Sequence, residues 1–323
     1  MMDDNKKVKN DYTPRRNRIR LSPGDKVWVI IAHIVVILLA FICFYPMWYL
    51  FINSIATADA ARGAGVLVFP RPGQFYFGTY RQIMSEGRIL GGMRVSGARV
   101  VVSCILVVTT TSLFSYLTTR EQLPFRRIIY RFGIVSMYVS GGLIPMVVLY
   151  RTIGLTNNFA TYIVPGMFNV GSVILIRAFM QSAIPAELEE SAKIDGAGHL
   201  TICFKIFVPL SKPILATVAL FTAVGAWNAW FDNFLFVTDP RLQTIQRELL
   251  AFLQQADTII RTIQRNAMAG TMSPDMMENI TRNLTGDSIR NASTIIAMVP
   301  IMMVFPFLQK YFARGIMMGA VKG

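Results

Sequence analysis

Charge is scarce in this sequence. Only 15% of its 323 residues are Asp, Glu, Lys or Arg, against 53% hydrophobic, and the mean hydropathy is +0.46. Soluble domains carry about a quarter charged residues, so one large soluble core is excluded. The charges that exist lie between long apolar runs, as in a chain that crosses a bilayer repeatedly. Cysteine and histidine are also few. Cys43, Cys104 and Cys203 are odd in number and, with His33 and His199, lack metal-ligand spacing; no disulfide framework, metal or cofactor is expected. The sequence has no G-x-x-x-x-G-K-[ST] phosphate loop, since Lys322 lacks both the glycine spacing and a following hydroxyl, and no H-E-x-x-H, C-x-x-C or G-x-S-x-G. No catalytic residue is expected, and the chain reads as a non-enzyme.

Acid is the scarcer sign, 18 residues against 32 basic ones, for a net charge of +14. Such an excess can serve nucleic acid, but its placement argues otherwise. Lys6, Lys7, Lys9, Arg15, Arg16, Arg18, Arg20 and Lys26 all fall in a basic arm, residues 1–26, just before an apolar run. Juxtamembrane basic residues hold a segment on the cytoplasmic side and attract anionic membrane lipid. The run 27–51 spans roughly 37 Å as a helix, enough to cross a bilayer and longer than a signal-peptide core. A retained first helix is expected.

Further apolar runs at about 95–117, 128–150, 162–180, 213–237 and 294–312 bring the expected crossings to six, all α-helical because lipid satisfies no backbone polar group. Pro46, Gly141, Gly142, Pro145, Pro165, Gly166, Pro300 and Pro306 interrupt them, and kinks are expected there. Basic residues of the arm, of the 118–127 loop (Arg120, Arg126, Arg127), of the 181–212 segment (Lys193, Lys205, Lys212) and of the C-terminal end (Lys310, Arg314, Lys322) place both termini inside. Arg94 and Arg99, near an outer helix end, and Arg131 and Arg177, near inner ones, are expected to snorkel to the interface. In the outer loop, 238–293, apolar residues recur at helical spacing from Leu242 to Ile263, and Ser273-Pro274 offers the start of a second short helix ending near Leu284. A rim-packed helix or a platform for a delivery protein both suit that loop.

The segment between the fourth and fifth runs is polar and long for a turn. Pro185 at a first helical position, with Glu187, Glu189 and Glu190 in the first turn, predicts a short helix. Gly196 and Gly198 predict its stop, and a second stretch leads through Pro209 and Pro213 into the fifth run. The product is a compact knob able to seat in a partner and move as a lever. Glu190-Ser191-Ala192, three residues, Gly196, nine residues, then Ile206-Phe207-Val208-Pro209 resembles the EAA loop of ATP-binding-cassette importer permeases. The family pattern is Glu-Ala-Ala, three residues, Gly, nine residues, Ile-x-Leu-Pro, and Ser191 and Val208 are mild departures. The surrounding ELEESAKIDGAG, the ending Gly315–Gly323, GGLIP at 141–145 and the Trp227-Asn228 pair are similar to the carbohydrate-uptake branch, with its maltose and multiple-sugar permeases. The resemblance covers most of residues 27–323.

The resemblance implies an all-α membrane protein with the fold of a type I ABC importer permease, six transmembrane helices and a cytoplasmic coupling helix. Carried over by position, Glu187, Glu190, Ser191, Ala192, Asp195, Gly196, Ala197 and Pro209 would serve coupling to an ATPase. Implied partners are a second permease subunit in a heterodimer, two ATP-binding-cassette ATPase subunits, an extracytoplasmic solute-binding protein and an oligosaccharide, in a bacterial cell membrane, with no nucleic acid. The extended outer loop resembles systems for complex or plant-derived oligosaccharides. In the fifth run, Trp227, Asn228, Trp230, Asp232 and Asn233 are unusual for a lipid-embedded helix. Aromatic faces stack on sugar rings and amide or carboxylate groups bond hydroxyls, so these five are candidates for a substrate path; an interfacial belt or bonds to another helix are the blander and stronger explanation. A permease for a non-sugar solute and an ion-coupled secondary transporter are the alternatives, the latter disfavoured by mostly uncharged span centres and the absence of a convincing repeat.

Overall fold

The computed structural model describes residues 22–57, 60, 69, 73–85, 87–268 and 286–320. The rest of the basic arm, the tail after Ala320 and the expected helix after Ser273 lie outside them. The chain divides into two units, the first ending at Tyr49 and the second beginning at Leu50. Among the described residues the structure is helical, its one extended pairing being an isolated bridge between Ala56 and Phe75.

Helix α1 (Pro23–Ile55) starts where the sequence dictates. Pro23 takes the first helical position, the Ser22 hydroxyl accepts from the Asp25 amide at 3.2 Å, and the Asp25 carboxylate accepts from the Ser22 amide at 3.0 Å. This reciprocal cap satisfies two donors that the helix cannot. The stretch within Gly24–Ile55 is apolar on every side, as a helix surrounded by lipid must be.

The second unit is built around α3 (Arg88–Thr119), which follows the short α2 (Gly78–Ser85). Its buried face carries a row of hydroxyl residues, Ser96, Ser103, Thr111, Ser112, Ser115 and Thr118, alongside Ile89, Arg99, Val107 and Tyr116. Small side chains let helices approach closely in a membrane. Thr111 and Thr118 return their hydroxyls to carbonyls one turn back, Val107 and Phe114, which removes the cost of burying them. Against this face pack α6 (Val170–Ala183), α9 (Lys212–Asn228) and α11 (Ile245–Met268). The outer-loop helix expected from Leu242 is α11, and its buried Ile245, Leu249 and Phe252 join Trp227, Ile289 and Ala292 in one apolar cluster.

The expected runs are more broken than their hydropathy implies. The region 128–150 forms two helices, α4 (Arg126–Ser136) and α5 (Leu143–Thr152), with no buried residue in either. Gly142, at φ 82°, stands at the break, and each piece is only about 16 Å long, half a bilayer core. The region 162–180 begins as tight turns, Phe159–Tyr162 and Val164–Gly166, then bends 47° into α6, whose start is capped by the Asn169 carboxamide accepting from the Ser172 amide at 2.8 Å. Further on, α7 (Ala186–Ile194) is followed by α8 (His199–Leu210), which meets α9 at 82°, and Ala229 and Trp230 separate α9 from α10 (Phe231–Phe236). The last run lies inside α12 (Gly286–Ala320), a 35-residue helix that continues through Pro300 and Pro306. Among the described residues, two helices, α1 and α3, are long and apolar enough to cross a membrane, and up to four crossings result when each bent pair counts as one.

One contact tests the packing on α3. A methyl group at Gly92 would lie 3.0 Å from the Ile245 Cα and backbone nitrogen, and one turn on, the Ser96 hydroxyl accepts from the Ile245 amide at 3.0 Å. A methyl group at neighbouring Gly91 meets nothing within 4 Å. Gly92→Ala is expected to destabilise by about 1–3 kcal/mol through overpacking, whereas Gly91→Ala stabilises by about 0.5–1 kcal/mol through helix propensity. Thermal unfolding of the detergent-solubilised protein should show Tm shifts of opposite sign.

Candidate functional site

The knob between α6 and α9 forms as a helix, a sharp turn and a helix. Pro185 stands just ahead of α7, in extended conformation, with Ala186 the first helical residue. At the other end Gly196 adopts φ +80°, the Gly196 amide donates to the Lys193 carbonyl at 3.0 Å and the Ala197 amide to the Ala192 carbonyl at 2.9 Å. These two bonds around a left-handed residue make a Schellman stop. The chain then enters α8, which loosens into a π-turn at Cys203–Phe207.

The turn of α7 sorts its three acids. Glu187 and Glu190 are exposed, with Leu188, Ser191, Ile194 and Asp195, while Glu189 and Ala192 are buried. Glu189 pairs with Arg120, the residue that ends α3, and with Lys193 at 2.9 Å. The Arg120 guanidinium lies against a pair of rings, 4.6 Å from the Tyr116 centroid and 4.7 Å from that of Phe207, which meet edge to face at 5.0 Å. Its Nε and Nη2 donate to the Thr119 hydroxyl at 2.9 and 2.7 Å. Burial pulls Arg120 below the usual arginine range, yet arginine stays charged in proteins. Around the pair Ile176, Met180, Ile184, Ala192, Ile202 and Cys203 close an apolar cluster.

Of the expected coupling residues, Glu187, Glu190, Ser191, Asp195, Gly196 and Pro209 are thus at the surface, Ala197 is half-buried and Ala192 is inside. A first-turn position accounts for Glu187. It does not account for Glu189, whose partner is 69 residues away (189 − 120). No local pattern could reveal that pairing.

The five candidate substrate residues are not gathered into one site. Trp227 is buried and its indole donates to the Ala297 carbonyl at 3.0 Å, fastening α9 to α12. Asn228 and Trp230 line a cleft of about 470 Å³ with Gln246 and Thr294. Asp232 and Asn233 turn inward. Asp232 accepts from both terminal nitrogens of Arg99, one at 3.1 Å, and the Asn233 carboxamide donates to the Tyr162 hydroxyl, which donates to the Leu242 carbonyl at 2.7 Å. Arg99 therefore does not snorkel. It is 5% exposed and lies 4.8 Å from the Tyr162 ring centroid. Arg177 likewise stacks on Tyr130, 3.9 Å from the ring centroid. A different cleft, of about 430 Å³, is lined by Arg99, Ser103, Tyr162, Asn169, Ser172 and Thr222 among others.

Residues 110–318 match the family described as "Binding-protein-dependent transport system inner membrane component". Protein LplC of Bacillus subtilis is 33% identical over 86% of this chain and 89% of its own. The polygalacturonan/rhamnogalacturonan transport system permease protein YtcP of the same organism is 32% identical, over 89% of this chain and 95% of its own. Among solved structures, a chain of a bacterial ABC transporter involved in the import of the acidic polysaccharide alginate superposes with a TM-score of 0.72 at 23% identity, covering 90% of this chain and 99% of that one.

Asp232→Leu should leave the Arg99 charge buried without its partner, an expected loss of about 3 kcal/mol, whereas the double replacement Arg99→Leu with Asp232→Leu should recover most of it. Thermal unfolding of the single and double variants measures the difference.

Proposed function

This chain belongs to the family of binding-protein-dependent transport system inner membrane components, and from that membership we propose that it is the permease subunit of an ATP-driven importer of oligosaccharides. The ATP would be hydrolysed on a separate ATPase chain. The assembly would hold a second, related permease, two ATPase subunits and an extracytoplasmic solute-binding protein in a bacterial cell membrane. Six crossings, with α4 and α5 sharing one, would leave both termini and the α7 knob in the cytoplasm.

The observation that carries this reading is the build of the knob. Its outer face presents the carboxylates of Glu187, Glu190 and Asp195 around two exposed apolar side chains, Leu188 and Ile194. Acids ringing a small apolar patch suit a basic cleft on a partner, which explains charge complementarity and desolvation together. The inner face is packed and ion-paired, so the knob can move as a rigid body when ATP closes the two ATPase subunits. Ser191 and Pro209 are exposed, and Ala192, Gly196 and Ala197 set the shape of the knob.

Substrate class is supported by relatives named for saccharides. YtcP is named for polygalacturonan and rhamnogalacturonan, and the melibiose/raffinose/stachyose import permease protein MelC of Bacillus subtilis is 32% identical over 68% of this chain and 72% of its own. Oligosaccharides of plant origin fit both. Asn228 and Trp230, at the rim of their cleft, remain the candidate cargo contacts from the expected set, while Trp227, Asp232 and Asn233 would act by holding helices in place.

Two measurements test the reading. Co-expressed with its partners, the wild-type chain should retain the ATPase through purification and import labelled oligosaccharide, and Gly196→Asp should abolish both, since a side chain is strained at that φ. In a background lacking the native cysteines, Ser191→Cys should react with a membrane-impermeant maleimide only in inside-out vesicles. Labelling from the outside, or unaffected uptake by Gly196→Asp, would overturn it.

A further inference from the structure

Adjacent acids on one helix have divided their work. Residues next to each other on a helix point about 100° apart, so Glu189 and Glu190 cannot serve the same neighbour. Glu189 shares its face with Ala192, three residues on, and both are buried. Turning α7 to bring Glu190 inward would bury Lys193 in place of Ala192. The apolar position and the carboxylate therefore agree on one rotation, and it is Arg120 that reads it.

Arg120 joins three elements at one point. It follows the last residue of α3, where a cation meets the negative end of the helix dipole. It pairs with Glu189 on α7, and it lies against the adjoining rings of Tyr116 of α3 and Phe207 of α8. Glu189 sits in the first turn of α7, where an anion is favoured for the mirror-image reason. The chain itself runs from α7 only into α6 and α8, so α3 is reached across space. Apolar contacts in the same cluster tolerate sliding, whereas a charge-assisted pair braced against two rings fixes direction. Only arginine has the planar, stackable cation for this place.

Building on the coupling role proposed above, we propose that Arg120 is a positioning residue for transport: through Glu189 it sets the rotation of α7 that turns Glu190 outward, and it conveys displacement of the knob to α3. Removing Glu189 leaves the Arg120 charge beside the apolar cluster without its carboxylate, and removing Arg120 leaves Glu189 tied only to Lys193 of its own helix; either change lets α7 turn and slip against α3. ATP hydrolysis by the partner would then continue with little movement of the bundle.

The test uses the whole importer in proteoliposomes, with ATP hydrolysis and oligosaccharide uptake measured on the same preparation. Arg120→Gln and Glu189→Gln are each expected to retain the ATPase and its hydrolysis but to lower uptake per ATP at least tenfold. The exchanged pair, Arg120→Glu with Glu189→Arg, should regain a substantial part of that ratio, and Arg120→Lys should recover less because it cannot stack. A merely structural role would cut the amount of assembled complex and leave the ratio of assembled protein unchanged. Unchanged uptake per ATP in the single variants, or no gain from the exchange over the singles, overturns the proposal. Failure of the wild-type complex to hold an ATPase or import any saccharide overturns the coupling role itself, a different result from normal import by the single variants.

Discussion

A helix that meets several neighbours inside a bilayer needs a narrow surface, and narrow polar side chains bring hydroxyls that lipid cannot satisfy. In α3 the Ser and Thr row meets both demands, since its hydroxyls bond carbonyls of the same helix or, as Ser115 does with Val173, of the helix alongside. On that surface α6, α9 and α11 find their seats. Gly92 and Ser96 extend the same logic to the start of α11, one by leaving room for backbone and the other by accepting from it.

The two charges that α3 buries are treated alike. Arg99 meets Asp232 beside the Tyr162 ring, and Arg120 meets Glu189 beside the rings of Tyr116 and Phe207. They stand 21 residues apart (120 − 99), roughly 31 Å along the helix axis, about the thickness of a bilayer core. In each, an arginine from α3 holds an acid from a later element, and an aromatic face shields the pair from competing water. Such pairs add little net stability, but they are costly to break and so specify which element lies against which.

What could be read from the sequence was what the chain builds locally. The α7 knob was legible because its stop is local: a left-handed glycine and two backbone bonds within six residues produce it. In the region 128–150 Gly141, Gly142 and Pro145 marked the interruption, but hydropathy averages across them and gave one run where the chain divides into α4 and α5. Trp227, Asn228, Trp230, Asp232 and Asn233 looked like one polar cluster because they are close in sequence. The break after Asn228 turns them toward different neighbours, and only Asn228 and Trp230 share a cleft. Arg99 was misjudged as an interface residue, and the pairing of the first-turn Glu189 stayed hidden, because their partners, Asp232 and Arg120, come from distant parts of the chain.

The corner between α8 and α9 has a mechanical consequence. Ser211 is wholly buried at the vertex, and the ladder runs through it, its amide donating to Phe207 at 2.9 Å and its carbonyl accepting from Leu215 at 3.0 Å. A right-angled joint bonded on both arms behaves as a bell-crank rather than a hinge. A push along α8 emerges as tilt in α9, and the Trp227 bond to Ala297 hands that tilt on to α12.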